Sequence, residues 1–150
     1  MVRPGASWRP FSELMANVLF VCLHNAGRSQ MSEALFKQLA NGRHQARSAG
    51  TSPGDRVNPT VVEAMRESDI DLTGRKPKRL TDELGQWADV IVTMGCGDQC
   101  PVIPGKRYLD WELPDPSGQP LEDVRKTRDR IAELTKELLA ELDRRRPTGT

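Results

Sequence analysis

Two short runs of the chain, NVLFVC at 17–22 and ADVIVTM at 88–94, are apolar at nearly every position. A strand with one wet face alternates apolar and polar residues, whereas a strand buried on both faces reads as a continuous apolar run. Both runs are too short for a helix, so they are read as strands covered above and below. Helical patterns supply the cover. From Ser29, the spacing of Met31, Ala34, Leu35 and Leu39 marks one buried helix face that ends near Asn41. Asn58 followed by Pro59 is a helix start, with Asn as cap and Pro at the first helical position; Val62, Met65 and Ile70 continue it. Leu121, Val124, Ile131, Leu134, Leu138 and Leu142 mark a long helix with one charged face. HQARSAG at 44–50 and KRYLDW at 106–111 are two weaker strand candidates. Strand and helix thus alternate, which predicts a small flavodoxin-like α/β fold: a four-stranded parallel sheet with helices on both faces. Such sheets bind ligands beyond the carboxyl ends of their strands. Cys22 ends the first strand and Cys96 follows the second convincing one, so both thiols are expected at that edge.

A chain of 150 residues is long enough for one domain whose core needs no disulfide or structural metal. Residues 1–15 lack periodicity and are read as a loose extension, with Met15 as an alternative start; 16–144 form the domain and 145–150 a flexible tail. Lys and Arg number 22 against 21 Asp and Glu, a net charge of +1, so no global field points to a nucleic acid or a membrane as partner. No apolar run approaches the roughly 20 residues of a membrane span, and the first 16 residues lack a secretory apolar core. A cytoplasmic protein is expected. Its three cysteines cannot all pair within the chain, and in a reducing compartment they are catalytic, metal-binding or inert.

The first cysteine sits in a telling place. Between a strand and a helix N-terminus, as in VCLHNAGRS at 21–29, successive backbone N–H groups point at one spot and the helix dipole adds positive charge there. That spot, formed by Cys22, Leu23, His24, Asn25, Ala26, Gly27, Arg28 and Ser29, suits a bound oxyanion. The same field favours a thiolate, the nucleophilic form of Cys22. Arg28 offers a planar fork for two oxygens of a tetrahedral anion. Gly27 is expected to permit a positive φ, Asn25 tolerates one, and Ser29 can donate a hydrogen bond to the sulfur. A nucleotide-binding phosphate loop is excluded because no Gly-Lys-Ser/Thr follows.

Further on, GCGDQC places Cys96 and Cys100 four residues apart. In a helix, their Cα atoms would lie about 6 Å apart, within the span of roughly 4.4–6.8 Å that a disulfide accepts. Gly95 and Gly97 would let the segment reshape. Inert thiols and a metal pair are the other readings. Zinc would need two more ligands, and the only histidines, His24 and His44, show no matching spacing, so no metal is expected. Hydrolysis of a phosphate ester has no use for two extra thiols, which favours redox work.

VCLHNAGRS, together with SAGT at 48–51 and the pair Asp115-Pro116, resembles the low-molecular-weight tyrosine phosphatase superfamily, and within it the arsenate reductase branch. The resemblance spans roughly residues 17–143. It implies that Cys22 attacks arsenate, that Cys96 displaces arsenite from it, and that Cys100 captures Cys96, leaving a disulfide for thioredoxin. No bound cofactor is implied. Many thioredoxin-coupled members separate the two distal cysteines by six residues, against three here. A related group instead uses one cysteine, the small thiol mycothiol and a glutaredoxin-like protein, mycoredoxin. The resemblance also implies a general acid at Asp115, where the bland alternative is an Asp-Pro turn. Phosphatases follow this pair with tyrosine, but here Ser117 follows, and Tyr108 is the sole tyrosine. Asn25 and Glu33 match two positions of a potassium site in some members; the other ligands do not align, and no ion is predicted. RKPKR at 75–79 is read as a solvated loop rather than a patch that steers anions, and a monomer or homodimer is expected.

Overall fold

The computed structural model describes residues 15–97 and 100–145; the expected extension up to residue 14 and the tail from 146 lie outside them. Four strands, β1 (Asn17–Cys22), β2 (Gln45–Gly50), β3 (Val90–Thr93) and β4 (Arg107–Asp110), form one parallel sheet in the order β2-β1-β3-β4. Four helices connect and cover them: α1 (Arg28–Ala40), α2 (Pro59–Arg66), α3 (Asp82–Trp87) and α4 (Leu121–Arg145). The expected four-stranded parallel α/β fold is the one observed.

β1 lies inside the sheet and is buried on both sides, as its unbroken apolar run requires. Because strand side chains alternate, Val18, Phe20 and Cys22 face one layer while Leu19 and Val21 face the other. The first layer is the larger and takes its apolar residues from α1, α2 and α4. Phe20 is its centre, meeting Phe36 edge-on at 5.7 Å between ring centroids and Trp111 at 5.6 Å. The second layer packs Leu19, Val21, Ala49, Ile91 and Cys96 together, with Leu84 and Trp87 of α3 over them. Sequence periodicity does not announce α3, because six residues are too few to show a 3.6-residue repeat. Its start is nevertheless capped: the Thr81 hydroxyl accepts from the Leu84 N–H at 3.2 Å. Asn58 caps α2 as expected, accepting from the Thr60 N–H at 2.8 Å. At the other end of α2, Arg125 and Arg128 of α4 donate to Glu67 and hold its carboxyl well down, to about 2.

Register sets where the site falls. Cys22 pairs with Gly50 and Val21 with Thr93, so three neighbouring strands end at one level. The loops that leave them stay together: the Thr51 N–H donates to the Cys22 carbonyl at 3.2 Å, and the Met94 N–H to the Val21 carbonyl at 2.8 Å. Phe20→Ala removes the ring that joins α1 to β4's exit, and is expected to lower unfolding free energy by about 3–5 kcal/mol in urea melts. A cost below about 1 kcal/mol would contradict this account of the core.

Candidate active site

β1 delivers Cys22 to the edge of the sheet and α1 begins six residues later with Arg28. Gly27 caps that helix and contributes no side-chain acceptor, so the N–H groups of the first turn are not claimed by a cap. Asn25 adopts the left-handed conformation expected of it, at φ 51°. Its side-chain amide is oriented without ambiguity, because the Lys78 N–H donates to Oδ1 at 2.9 Å and only an oxygen can accept it. Gln30 Nε2 donates to the same oxygen at 3.0 Å. Nδ2 therefore donates to the Ser29 hydroxyl at 2.6 Å, which leaves the hydroxyl hydrogen for Cys22 Sγ, 2.8 Å away. The Asn25 N–H reaches the same sulfur at 3.2 Å. Two hydrogen-bond donors are thus aimed at one buried sulfur.

A cavity of about 380 Å³ opens over this sulfur, lined by Cys22, His24, Arg28, Arg56, Asn58 and Asp115 among others. Arg28 is not a solvated helix residue: it is 7 % exposed, donates from Nη1 to the Leu113 carbonyl at 3.3 Å, and places Nη2 3.8 Å from the Asp115 carboxylate. Asp115 makes an Asx turn, accepting from the Ser117 N–H at 3.0 Å, and also lines the cavity. His24 is exposed at the mouth. Leu23 does not line the cavity and Ala26 does; their carbonyls accept from Ser52 and Asn58, each at 2.8 Å, and tie the loop to the chain beyond β2.

Gly27 corrects an expectation. Its φ is −147°, not positive, and its reason is contact: a Cβ there would meet Pro116 Cγ at 2.5 Å. The missing side chain lets the Asp-Pro turn close onto the anion loop.

Cys96 and Cys100 are joined in a disulfide with Cα atoms 5.1 Å apart, and Cys22 is the free thiol. Neither Cys96 nor Cys100 belongs to an α-helix among the described residues, and Gly95 and Gly97 have positive φ of 78° and 56°. Cys22 ends β1 and Cys96 lies beyond the adjacent β3, but Cys96 does not line the cavity over Cys22. Cys96 is packed in the second layer, while Cys100 lines a separate groove with Gly95, Asp110 and Glu112. Among the described residues no cluster of His, Cys, Asp or Glu could hold a metal ion, and no helix is long and apolar enough to cross a membrane.

The basic stretch 75–79 is more than a solvated loop. The Lys78 N–H holds Asn25, the Lys76 carbonyl accepts from Gln30 at 3.3 Å, and the Lys78 carbonyl accepts from Gly50 at 2.7 Å. Its cations also converge on Glu33, buried in α1: Arg75 lies at 3.4 Å and Lys78 at 3.9 Å, with Lys37 at 2.6 Å and the Ser48 hydroxyl at 2.5 Å. Burial alone would push the Glu33 carboxyl up, but hydrogen bonds from Lys37 and Ser48 and the charges of Lys78 and Arg75 together hold it below its ordinary value. Sequence reasoning missed Gln30, Ser48, Arg56 and this role of the basic stretch: apart from the Gln30–Asn25 bond, the contacts that reveal them join segments distant in the chain.

A buried free thiol in a strand–loop–helix turn, with an Asp-Pro turn closed onto it, is the layout expected of a cysteine-dependent oxyanion enzyme. The chain belongs to the low molecular weight phosphotyrosine protein phosphatase family, whose pattern matches residues 17–148. It is 34% identical over 131 residues to the glutaredoxin arsenate reductase of a Synechocystis species, covering 85% of this chain and 99% of that relative. The thioredoxin-dependent arsenate reductase of Corynebacterium glutamicum superposes with a TM-score of 0.72 at 38% identity, covering 85% of this chain and 61% of that one. The YwlE arginine phosphatase of Geobacillus stearothermophilus superposes at 0.76 with 25% identity, covering 86% and 94%. The fold thus serves both reduction and hydrolysis.

Two measurements test the site. Ser29→Ala removes one donor to the sulfur and should slow alkylation of Cys22 by iodoacetamide at neutral pH roughly tenfold; an unchanged rate would refute the orientation derived above. For Glu33, a carboxyl depressed in the fold stabilises it above the ordinary value of 4.5 and loses that contribution as pH falls through the folded value. The gap in Tm between wild type and Glu33→Gln should therefore narrow as the pH is lowered below 4.5, and a constant gap would count against it.

Proposed function

We propose that this chain reduces arsenate to arsenite, with Cys22 as nucleophile and Cys96 and Cys100 as a thiol relay reset by thioredoxin. The observation that supports it most is the Cys96–Cys100 disulfide beside a free Cys22. In this reading the backbone of 22–29 and the Arg28 fork hold the oxyanion. The Cys22 thiolate attacks arsenic and forms a sulfur–arsenic bond; a hydroxide leaves, taking a proton from Asp115 at the cavity wall. Cys96 then attacks the Cys22 sulfur. The pair of electrons in the sulfur–arsenic bond stays on arsenic, which leaves as arsenite in the trivalent state, and Cys22 and Cys96 are joined. Cys100 attacks the Cys96 sulfur, returning Cys22 as thiolate and leaving the Cys96–Cys100 disulfide. A dithiol such as thioredoxin in a reducing cytoplasm opens it.

The fold also serves hydrolysis, and one assay separates the readings. With thioredoxin, thioredoxin reductase and NADPH, arsenate should be turned over by the wild type and lost in Cys22→Ser, Cys96→Ser and Cys100→Ser. Full turnover in both distal variants would overturn the relay and favour an external small thiol such as mycothiol with a glutaredoxin-like protein. Strong aryl phosphate hydrolysis without arsenate turnover would make the chain a phosphatase, and phosphate binding without any product a sensor.

A further inference from the structure

The guanidinium of Arg28 has a neighbour outside the anion loop. Gly95, the residue before Cys96, lies against it so closely that a Cβ would stand 2.1 Å from Nη1, 2.8 Å from Cζ and 3.1 Å from Nη2. Real Cβ atoms do not approach so near, and at φ 78° this position is in any case one that L side chains rarely adopt. The same Nη1 donates to the Leu113 carbonyl at 3.3 Å. Arg28 is thus held between the segment carrying the distal cysteines and the segment leading to Asp115.

We propose that Gly95 is a positioning residue for oxyanion recognition: its bare backbone beds the Arg28 guanidinium and couples anion affinity to the state of the Cys96–Cys100 bond. The disulfide closes a small ring one residue after Gly95, which restricts the backbone there. A bed held in place costs less to order when the anion arrives, so the oxidised chain binds a tetrahedral oxyanion more tightly than the reduced chain. Linkage makes this reciprocal: a bound oxyanion makes the disulfide harder to open. The inference rests on Arg28 holding the anion, as in the proposed function, but not on arsenate turnover.

Inorganic phosphate is the probe, titrated calorimetrically into the full chain. Arg28→Ala tests the underlying reading and should abolish binding; binding at the wild-type level would remove the site itself. Gly95→Ala should weaken phosphate binding of the oxidised chain by about tenfold, the scale of one charge-assisted hydrogen bond. Gly97→Ala is the control, since Gly97 shares a positive φ of 56° but has open space where its Cβ would stand; it should stay within about twofold of wild type. Equal losses in the two glycine variants, or none in Gly95→Ala while Arg28→Ala loses binding, would overturn the bedding role. Wild-type protein alone decides the coupling, should Gly95→Ala fail to fold. Phosphate affinity should fall on reduction with dithiothreitol and return on reoxidation; equal affinities or the reverse order would overturn it.

Discussion

One amide organises the site. Because the Lys78 N–H can only donate, Asn25 Oδ1 must face it, and that orientation decides every hydrogen bond from there to the sulfur: Nδ2 to Ser29, Ser29 to Cys22. The Asn25 backbone, held left-handed at φ 51°, adds its own N–H to the same sulfur. An anion loop with its side chains free to reorient would offer donors only part of the time. Here the donors are fixed before a ligand arrives, which is the condition under which electrostatic stabilisation is strong.

That orientation depends on a segment distant in the chain. The basic stretch crosses from β2 to Asn25, and its side chains settle on Glu33, a carboxyl that burial alone would push above its ordinary value. Charge is therefore used locally in a chain whose total is +1. Cations gather behind the loop around Glu33, and Arg28 and Arg56 line the cavity in front of it.

The two sulfur sites follow from the alternation of strand side chains. Cys22 faces the layer of α1, α2 and α4, whereas Cys96 packs with the layer under α3. Adjacent parallel strands bring both to one edge, yet on opposite sides of the sheet. Passing a disulfide between them requires the segment after β3 to move, and its two positive-φ glycines are where such movement costs least.

The sequence alone determined the alternation of strand and helix, hence the parallel sheet and the strand ends where Cys22 sits, because burial on both faces writes itself as an unbroken apolar run. It also determined the thiol loop, since Cys22, Asn25, Gly27, Arg28 and Ser29 are local and their spacing is chemistry in one turn of chain. It left α3 hidden, being shorter than the period that reveals a helix, and assigned Gly27 to backbone freedom when Pro116, eighty-nine residues on, is the reason. Only the tertiary structure decided the orientation of Asn25, the burial of Glu33 among the basic residues and the bed of Arg28 on Gly95. Each of these is a contact between segments far apart in sequence, and no local pattern carries a signal for what the fold will place on the other side.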